Sequence, residues 1–314
     1  MVKKKRLGNR HLPQGLEILY EDKDILVVEK PAGMLTMGTE TNITRTAYHF
    51  LTDYVQKGCK KSRNRLFIVH RLDQWTSGVL LFAKSEETKF RLQEQWKETQ
   101  KKYAAIVHGQ LAKKEGVITS HLAENSAYVV YSTMKPLVRS LAAFKSEVQI
   151  PKPETNSTHQ KTEFSKQPAT SDSSQKGKLA HTAYKVLREN RRYSLVKIDL
   201  LTGKKNQIRV HFADTGNPVV GDRKYGKKHD GHKRLALHAK SISFKHPTTG
   251  KQMMFEASVP SYFDKLVGDA EERSAEKVKC KNEKCKFDES ASKTGDRNRV
   301  QGTVKTGHDL KREV

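Results

Sequence analysis

The chain has 314 residues, enough for one large domain or two small ones, and a hydrophobic fraction of 35% predicts that part of it is unstructured. Its formal net charge of +25 predicts a polyanionic partner, with nucleic acid as the first candidate and a membrane surface as the second. The composition argues against a membrane-spanning or exported protein. No stretch approaches roughly 18 apolar residues, the basic start lacks a signal peptide's apolar core, and three cysteines make no disulfide framework, so we expect a cytoplasmic protein with reduced thiols.

The first part of the chain predicts a basic arm, a hairpin and a helix. Residues 1–15 either lie along a phosphate backbone or form a frayed, solvated terminus. Apolar runs at residues 18–20 and 25–28 flank a charged turn, which is typical of a β-hairpin. Apolar residues spaced along one helix face predict a helix over residues 46–55.

A segment dense in functional groups follows at residues 68–84, which read IVHRLDQWTSGVLLFAK. Apolar runs at residues 66–69 and 79–83 predict two buried strands, and Thr-Ser-Gly before the second run indicates a turn. Between the strands lie His70, Arg71 and Asp73. Asp73 is either a turn-capping residue paired with Arg71 or a functional carboxylate held by a rigid scaffold.

Two elements are predicted after this segment. Ser85 can cap a helix whose first turn contains Glu86 and Glu87. Alternation in KKYAAIVHG, residues 101–109, predicts a strand, and the pattern by itself indicates an ordinary buried tyrosine at Tyr103.

The second half alternates between ordered and low-complexity sequence. Residues 146–178 are rich in Ser, Thr, Gln, Lys and Pro and predict a disordered insertion, after which strands resume. Within LTGKKNQIRVHFADTGNPVVGDRKYG, Asn206 is predicted to cap a helix over residues 207–215 that stops at Gly216 and points Arg209 and His211 to different sides. Residues 263–314 predict a disordered tail, where the pair Cys280 and Cys285 is half of a zinc site at most.

Three of these segments together resemble the RluA family of RNA pseudouridine synthases. HRLDQWTSGVLLFAK matches the family signature His-Arg-Leu-Asp, two variable residues, then Thr-Ser-Gly and an apolar run ending in Ala-Lys. KKY resembles the family's Lys-x-Tyr motif, and the segment around Arg209 resembles its third motif, with Lys204 and Asn206 in place of the usual Arg and His. The resemblance covers residues 16–262 apart from the insertion. It implies an α+β fold with a mixed, largely antiparallel central sheet, flanking helices and a basic cleft.

The activity that this resemblance implies is isomerisation of uridine to pseudouridine in rRNA or tRNA. The base must leave the stack before its glycosidic bond can be reached, and neither a metal nor a redox cofactor is required. The resemblance makes Asp73 the catalytic carboxylate, which attacks as a nucleophile, stabilises positive charge or removes a sugar proton. It makes Arg209 the partner that keeps Asp73 ionised and Tyr103 the ring against the base.

The remaining predictions concern RNA contacts and competing functions. We predict a monomer that binds no membrane, with RNA contacts from the polar and basic residues of the three motifs: His70, Arg71, Thr76, Lys102, Lys204, Lys205 and His211. For His70 a structural hydrogen bond is the alternative. The competing functions are an RNA-binding protein that has lost catalysis and a metal-dependent nuclease or phosphoryl-transfer enzyme. The latter predicts clustered acidic ligands.

Overall fold

A computed structural model describes residues 12–38, 44–59, 62–147, 177–228 and 230–268. Most of the predicted basic arm, residues 148–176 of the predicted insertion and the tail beyond residue 268, including Cys280 and Cys285, lie outside the described residues. None of the helices in the described ranges has both the length and the hydropathy that crossing a bilayer requires.

The described chain is rich in strands and has short helices. The strands are β1 (Glu17–Glu21), β2 (Ile25–Lys30), β3 (Phe67–Ile68), β4 (Ser77–Ala83), β5 (Gln100–His108), β6 (Glu115–Glu124), β7 (Val130–Ser132), β8 (Leu137–Arg139), β9 (Lys178–Glu189), β10 (Tyr193–Leu200), β11 (Leu237–Lys245) and β12 (Gln252–Glu256). The helices are α1 (Ala47–Gln56), α2 (Glu86–Glu94), α3 (Leu141–Glu147), α4 (Gln207–Asp214) and α5 (Tyr262–Val267), and one turn of 3-10 helix, Gln95–Lys97, follows α2.

These strands form a mixed sheet in the order β1-β2-β4-β11-β5-β10-β9-β6-β7, with β3 on β4, β12 on β11 and β8 on β6. All of these pairs are antiparallel except β4 with β11. The parallel contact is short, joining Ser77 to His238 and Gly78 to Ala239. It places the start of β4 beside β11 within the sheet, so the loop before β4 lies next to the start of β11.

Strand β4 is buried at every position, so both of its faces are covered. Gly78 permits this, because a Cβ there would lie 2.2 Å from the carbonyl oxygen of Ala239 and the backbone φ is +114°. One core cluster gathers side chains of β5, β10, α4 and α5, and a second gathers those of β2, β4 and α1. The loop that carries Asp73 is therefore anchored by a rigid central strand.

Most predicted elements occur within a few residues of their expected positions. The hairpin is β1–β2, the helix predicted over residues 46–55 is α1, and the Ser85 side chain accepts a hydrogen bond from the Thr88 N–H at the start of α2. Gly216 has the left-handed backbone expected after α4, with φ at +82°. The structure confirms these local predictions because capping and apolar spacing act over a few residues.

Four expectations need correction. The strand predicted at residues 66–69 spans only Phe67–Ile68. Asn206 lies before α4 but makes no capping hydrogen bond, because its backbone is left-handed, with φ at +53°, and its side chain turns towards Arg209 and Tyr225. The predicted insertion starts too early and ends too late, because α3 includes residue 147 and β9 begins at Lys178. The predicted tail also starts too early, because Phe263 and Val267 of α5 are buried in the core.

Candidate active site

The loop that carries Asp73 is fixed from below by the segment after β2. The Thr36 hydroxyl donates to the Leu72 carbonyl at 2.8 Å and accepts from the Leu72 N–H at 3.2 Å. On the other side of Asp73, the Gly33 N–H donates to the Gln74 carbonyl at 2.9 Å. Hydrogen bonds to the backbone of Leu72 and Gln74 thus hold the loop on both sides of Asp73.

A buried lysine strengthens this support. Lys30 has no exposed surface, and its ammonium donates to the carbonyls of Pro31, Met34 and Gln74 at 3.0, 2.7 and 3.1 Å. Burial lowers the pKa of Lys30 to about 7, and the negative charge of Asp73 opposes that shift. Through these three carbonyl acceptors, Lys30 ties the loop to β2.

Arg209, on α4, joins Asp73 to a second carboxylate. Its Nη1 donates to Oδ2 of Asp73 at 3.1 Å, while Nε and Nη2 form a bidentate pair with Asp222 at 2.7 and 2.8 Å. The guanidinium lies 5.0 Å from the ring centroid of Tyr225, and Nη1 also donates to Asn206 Oδ1 at 2.9 Å. A fork held on three sides presents one N–H to Asp73 in a fixed direction.

The protonation states follow from these contacts. Burial by itself would lower the pKa of Arg209, but Asp222 and Asp73 raise it above the ordinary range. Burial by itself would raise the pKa of Asp222. The hydrogen bonds and positive charge of Arg209, together with hydrogen bonds from the Tyr225 and Lys224 N–H groups, lower the pKa instead. The pair therefore stays ionised, and a full positive charge lies beside Asp73.

Tyr103 is on β5, where it pairs with Ala239 of β11 and Ile198 of β10. Burial raises the pKa of Tyr103 well above its ordinary range, and the negative charge of Asp73 adds to the effect. The ring is thus neutral at physiological pH and keeps its phenolic proton.

Asp73, Arg209 and Tyr103 line one cavity of about 890 Å³, within the roughly 300–1,000 Å³ typical of ligand sites. Its rim is cationic, with the side chains of Arg71, Lys204, Lys205, Arg223, Lys224 and Lys233. Asp73 is about a third exposed, and its Oδ1 accepts no hydrogen bond from the described residues. A single carboxylate is therefore open to a ligand inside a positively charged cleft, where anions such as RNA phosphates concentrate.

His70 and Lys101 form one wall of the cavity. Nε2 of His70 accepts from the Leu81 N–H at 3.1 Å, and its ring packs on Trp96. Burial, with the nearby charge of Lys101, lowers the pKa of His70 to about 3, so the ring is neutral. The alternative of a structural hydrogen bond therefore describes His70, and Trp96 packs beside it.

The structure does not place all of the predicted RNA-binding residues at the cavity. Arg71, Lys204 and Lys205 line it, as does Thr76, whose side chain is buried. Lys102 does not line it, because strand alternation turns Lys102 away from the face that carries Tyr103.

His211 is a clear correction. It has no exposed surface, and its Nε2 lies 3.0 Å from the Ser120 hydroxyl, on the side of α4 opposite to Arg209. A fully enclosed side chain cannot contact RNA, so His211 packs α4 on the sheet. The expectation that the two side chains point to different sides holds, but its consequence for RNA binding was wrong.

Sequence reasoning assigned no site role to Lys30, Lys101, Asp222 and Tyr225. Lys30 reads as the structural end of a strand, Lys101 as the first residue of the Lys-x-Tyr motif and Asp222 as a turn residue after Gly221. The presence of Asp222 and Tyr225 in the same polar segment as Arg209 was the available clue. Their contacts span 13 and 16 positions, too far for a pattern within one element.

One cluster in the described residues has ligand-like spacing for a metal, namely Asp22, Asp24 and His246. It lies outside the cavity lining and is held by its own hydrogen bonds. Asp22 accepts from two backbone N–H groups and from His246, whose Nδ1 accepts from Thr248 and Thr249 N–H. The cluster closes the ends of two hairpins and supplies no acidic group near Asp73.

The buried His211 predicts acid sensitivity. Burial, with the charge of His181 adding, lowers the pKa of His211 to about 4, from the 6.5 of an unfolded histidine. Between those values the unfolded chain binds the extra proton, so stability falls as pH drops from about 6.5 to 4, by up to about 1.4 kcal/mol per pH unit. Urea unfolding at pH 7.5 and 5.0 should show a smaller pH-dependent loss for His211→Gln than for the wild type.

The partly exposed His49 on α1 gives a comparison variant, since His49→Gln controls for the replacement of a histidine by glutamine outside the core. An unchanged pH dependence in His211→Gln would contradict the assignment of His211 as a buried neutral ring.

The fold and the cavity define the class of this protein: a mixed sheet with a cationic cleft that a carboxylate, an arginine and a tyrosine line together. The chain belongs to the RNA pseudouridylate synthase family, whose model matches residues 24–214. Members of this family are isomerases. The resemblance to the RluA family drawn from the three motifs is therefore confirmed.

Relatives and solved structures agree with this assignment. The chain is 32% identical to tRNA pseudouridine synthase C of Haemophilus influenzae, over 80% of this chain and 96% of that one. It is 30% identical to ribosomal large subunit pseudouridine synthase C of Rickettsia bellii, over 79% and 70% of the two chains. The structure of human RNA pseudouridylate synthase domain containing 4 matches with a TM-score of 0.58 at 21% identity, over 78% of this chain and 89% of that one, which confirms the predicted fold class.

Proposed function

We propose that this enzyme isomerises uridine to pseudouridine in rRNA or tRNA, with Asp73 as the catalytic group. The observation that carries the proposal is the 3.1 Å contact between Asp73 and Arg209 inside a cationic cavity that Tyr103 also lines. The tRNA and rRNA synthases among its relatives support the substrate class. We further propose that the enzyme acts as a monomer in the cytoplasm and binds no membrane.

The reaction moves one bond within the uridine. The bond between ribose C1′ and ring N1 breaks, the base turns, and C1′ bonds to C5. The proton at C5 leaves and N1 gains one, so the product is an isomer of the substrate. Because a base inside a duplex is out of reach, the target uridine enters the cavity flipped out of its stack.

Each residue has a place in this scheme. The open oxygen of Asp73 acts at the ribose, where charge develops as the bond to N1 breaks. Arg209 donates to the other oxygen and aims the carboxylate at the ribose. The neutral ring of Tyr103 stacks on the flipped base and keeps a proton available on its phenol.

Two competing functions are less well supported. An RNA-binding protein without catalysis would not require a carboxylate held by an arginine that is itself fixed by Asp222. A metal-dependent nuclease requires clustered acidic ligands in the cavity. In the described residues the metal-like cluster lies elsewhere. Turnover in excess EDTA separates the nuclease from the synthase.

The proposal is tested by mapping pseudouridine in RNA from cells that lack the protein. We expect one site, or a few sites, in rRNA or tRNA to remain uridine, because the proposed enzyme modifies specific uridines. Expression of the wild type should restore the modification, and expression of Asp73→Ala should not. An unchanged map in the deletion strain, or restoration by Asp73→Ala, would overturn the proposal.

A further inference from the structure

The cavity mouth carries two exposed aromatic rings that the proposed chemistry does not use. Trp75, two residues after Asp73, is 42% exposed and lines the cavity. Tyr128, in the turn between β6 and β7, is 73% exposed. Single exposed aromatic residues are common on protein surfaces, so exposure alone assigns no role to either ring.

Contacts with Gly33, Gln74 and Arg223 surround the ring of Trp75 and the loop that carries it. Its ring packs against the backbone of Gly33, where a Cβ would lie 3.4 Å from the indole and φ is +91°. Two hydrogen bonds between Gly33 and Gln74 hold the loop beneath it. The Arg223 guanidinium lies 5.7 Å from the ring centroid. In the signature that the chain shares with its family, Trp75 occupies one of the two variable positions, so the ring is not part of the shared chemistry.

Tyr128 has a similar arrangement in a tight turn. Its φ of +56° is left-handed, and its N–H donates to the Asn125 carbonyl at 2.9 Å, so the turn between β6 and β7 fixes the direction of the ring. Lys205 lies 5.3 Å from the ring centroid, and Lys224 donates to the Tyr128 carbonyl at 3.0 Å. Both lysines line the cavity, so the ring stands beside its cationic rim.

We propose that Trp75 and Tyr128 are stacking platforms for unpaired nucleotides that flank the target uridine, which makes single-stranded loops the substrate class. This inference rests on the proposed function. Aromatic rings bordered by Lys and Arg bind single-stranded RNA, since bases stack on the rings and phosphates contact the cations. A duplex keeps its bases stacked on each other and offers none to the rings. A protein partner fits less well, because four of the cations on the same rim are lysines, which are depleted from protein interfaces.

The test compares two probes: a 12-nucleotide RNA of mixed sequence with one central uridine, and the same strand annealed to its complement. We expect Trp75→Ala and Tyr128→Ala each to weaken binding of the single strand by roughly 5- to 100-fold and to leave duplex binding within about twofold. For Arg223→Met, the plot of the logarithm of the binding constant against the logarithm of salt concentration should be less steep by about 0.7 for the single strand, because one phosphate contact is lost.

The chain offers a matched control in Phe90 on α2. Phe90 is 53% exposed and Lys89 lies 5.2 Å from its ring centroid, but this pair is not part of the cavity. Phe90→Ala should bind both probes as the wild type does. Trp75 and Trp96 are the two tryptophans of the chain, so a second readout is available. Binding of the single strand should quench tryptophan fluorescence in the wild type but much less in Trp75→Phe, which retains affinity.

Several results would overturn the inference. One is single-strand binding by Trp75→Ala and Tyr128→Ala within twofold of the wild type. Another is an equal loss of affinity for the single strand and for the duplex in these variants. A change in sedimentation of Trp75→Ala without a change in RNA affinity would assign the ring to a protein contact and also sink the idea. Binding is measured without turnover and is repeated in Asp73→Ala. A failure of the stacking proposal can therefore be told apart from a failure of the proposed catalysis.

Discussion

Replacing Asp73 with asparagine should lower the rate of pseudouridine formation by at least about 1,000-fold, equivalent to about 4 kcal/mol of transition-state stabilisation. Asparagine has nearly the same shape, and its amide oxygen can still accept from Arg209. It lacks the negative charge and the nucleophilic oxygen that the proposed chemistry at the ribose requires. The loss should therefore appear in the chemical step.

The measurement is single-turnover conversion of an RNA that contains the site identified by mapping, with product quantified as pseudouridine. Since the Asp73 side chain is about a third exposed, stability should change by less than about 1 kcal/mol. Affinity for the RNA should stay within a few-fold of the wild type. A variant that folds, binds and still converts within tenfold of the wild-type rate would remove Asp73 from the catalytic role.

Replacing Asp222 with asparagine should destabilise the protein by about 3–5 kcal/mol, because it leaves a buried guanidinium without its main counter-charge. The Asp222 side chain has no exposed surface, and it holds two nitrogens of Arg209. Its Oδ1 also accepts from the Lys224 and Tyr225 N–H groups. Activity should fall as well, by at least about tenfold, since Arg209 loses its orientation towards Asp73.

A surface pair gives the matched control for this substitution. Asp264 pairs with Arg188, but both side chains are more than half exposed, so Asp264→Asn should cost less than about 1 kcal/mol. Urea unfolding at pH 7 compares the two variants. The prediction fails if Asp222→Asn is no more costly than Asp264→Asn.

The pH dependence has a definite sign. The folded pKa of Asp222 lies below that of an unfolded aspartate, so its contribution to stability is fully present above about pH 4 and is lost as pH falls through the folded value. The asparagine variant should lack this acid-induced loss. The His211 contribution lies at higher pH, between about 6.5 and 4, so the two titrations occupy different windows.

The sequence by itself determined the local elements and the class of chemistry. The hairpin, the cap at Ser85 and the stop at Gly216 depend on residues a few positions apart, where spacing and capping chemistry act directly. The segment around Asp73 was readable because its residues are contiguous. The clustering of Asp73, Tyr103 and Arg209 was expected only through the resemblance to a family.

The tertiary structure decided which side chains surround Asp73. Arg209 reaches it across 136 positions, and Lys30 reaches the Gln74 carbonyl across 44. Such contacts depend on strand order and helix placement, which no local pattern encodes. The same reason explains the error at His211, whose position on α4 was predicted but whose burial depended on which face of α4 packs against β6. The chemical type of a side chain can be read directly from the sequence. Its burial and its charged partners depend on how distant parts of the chain pack in the folded protein.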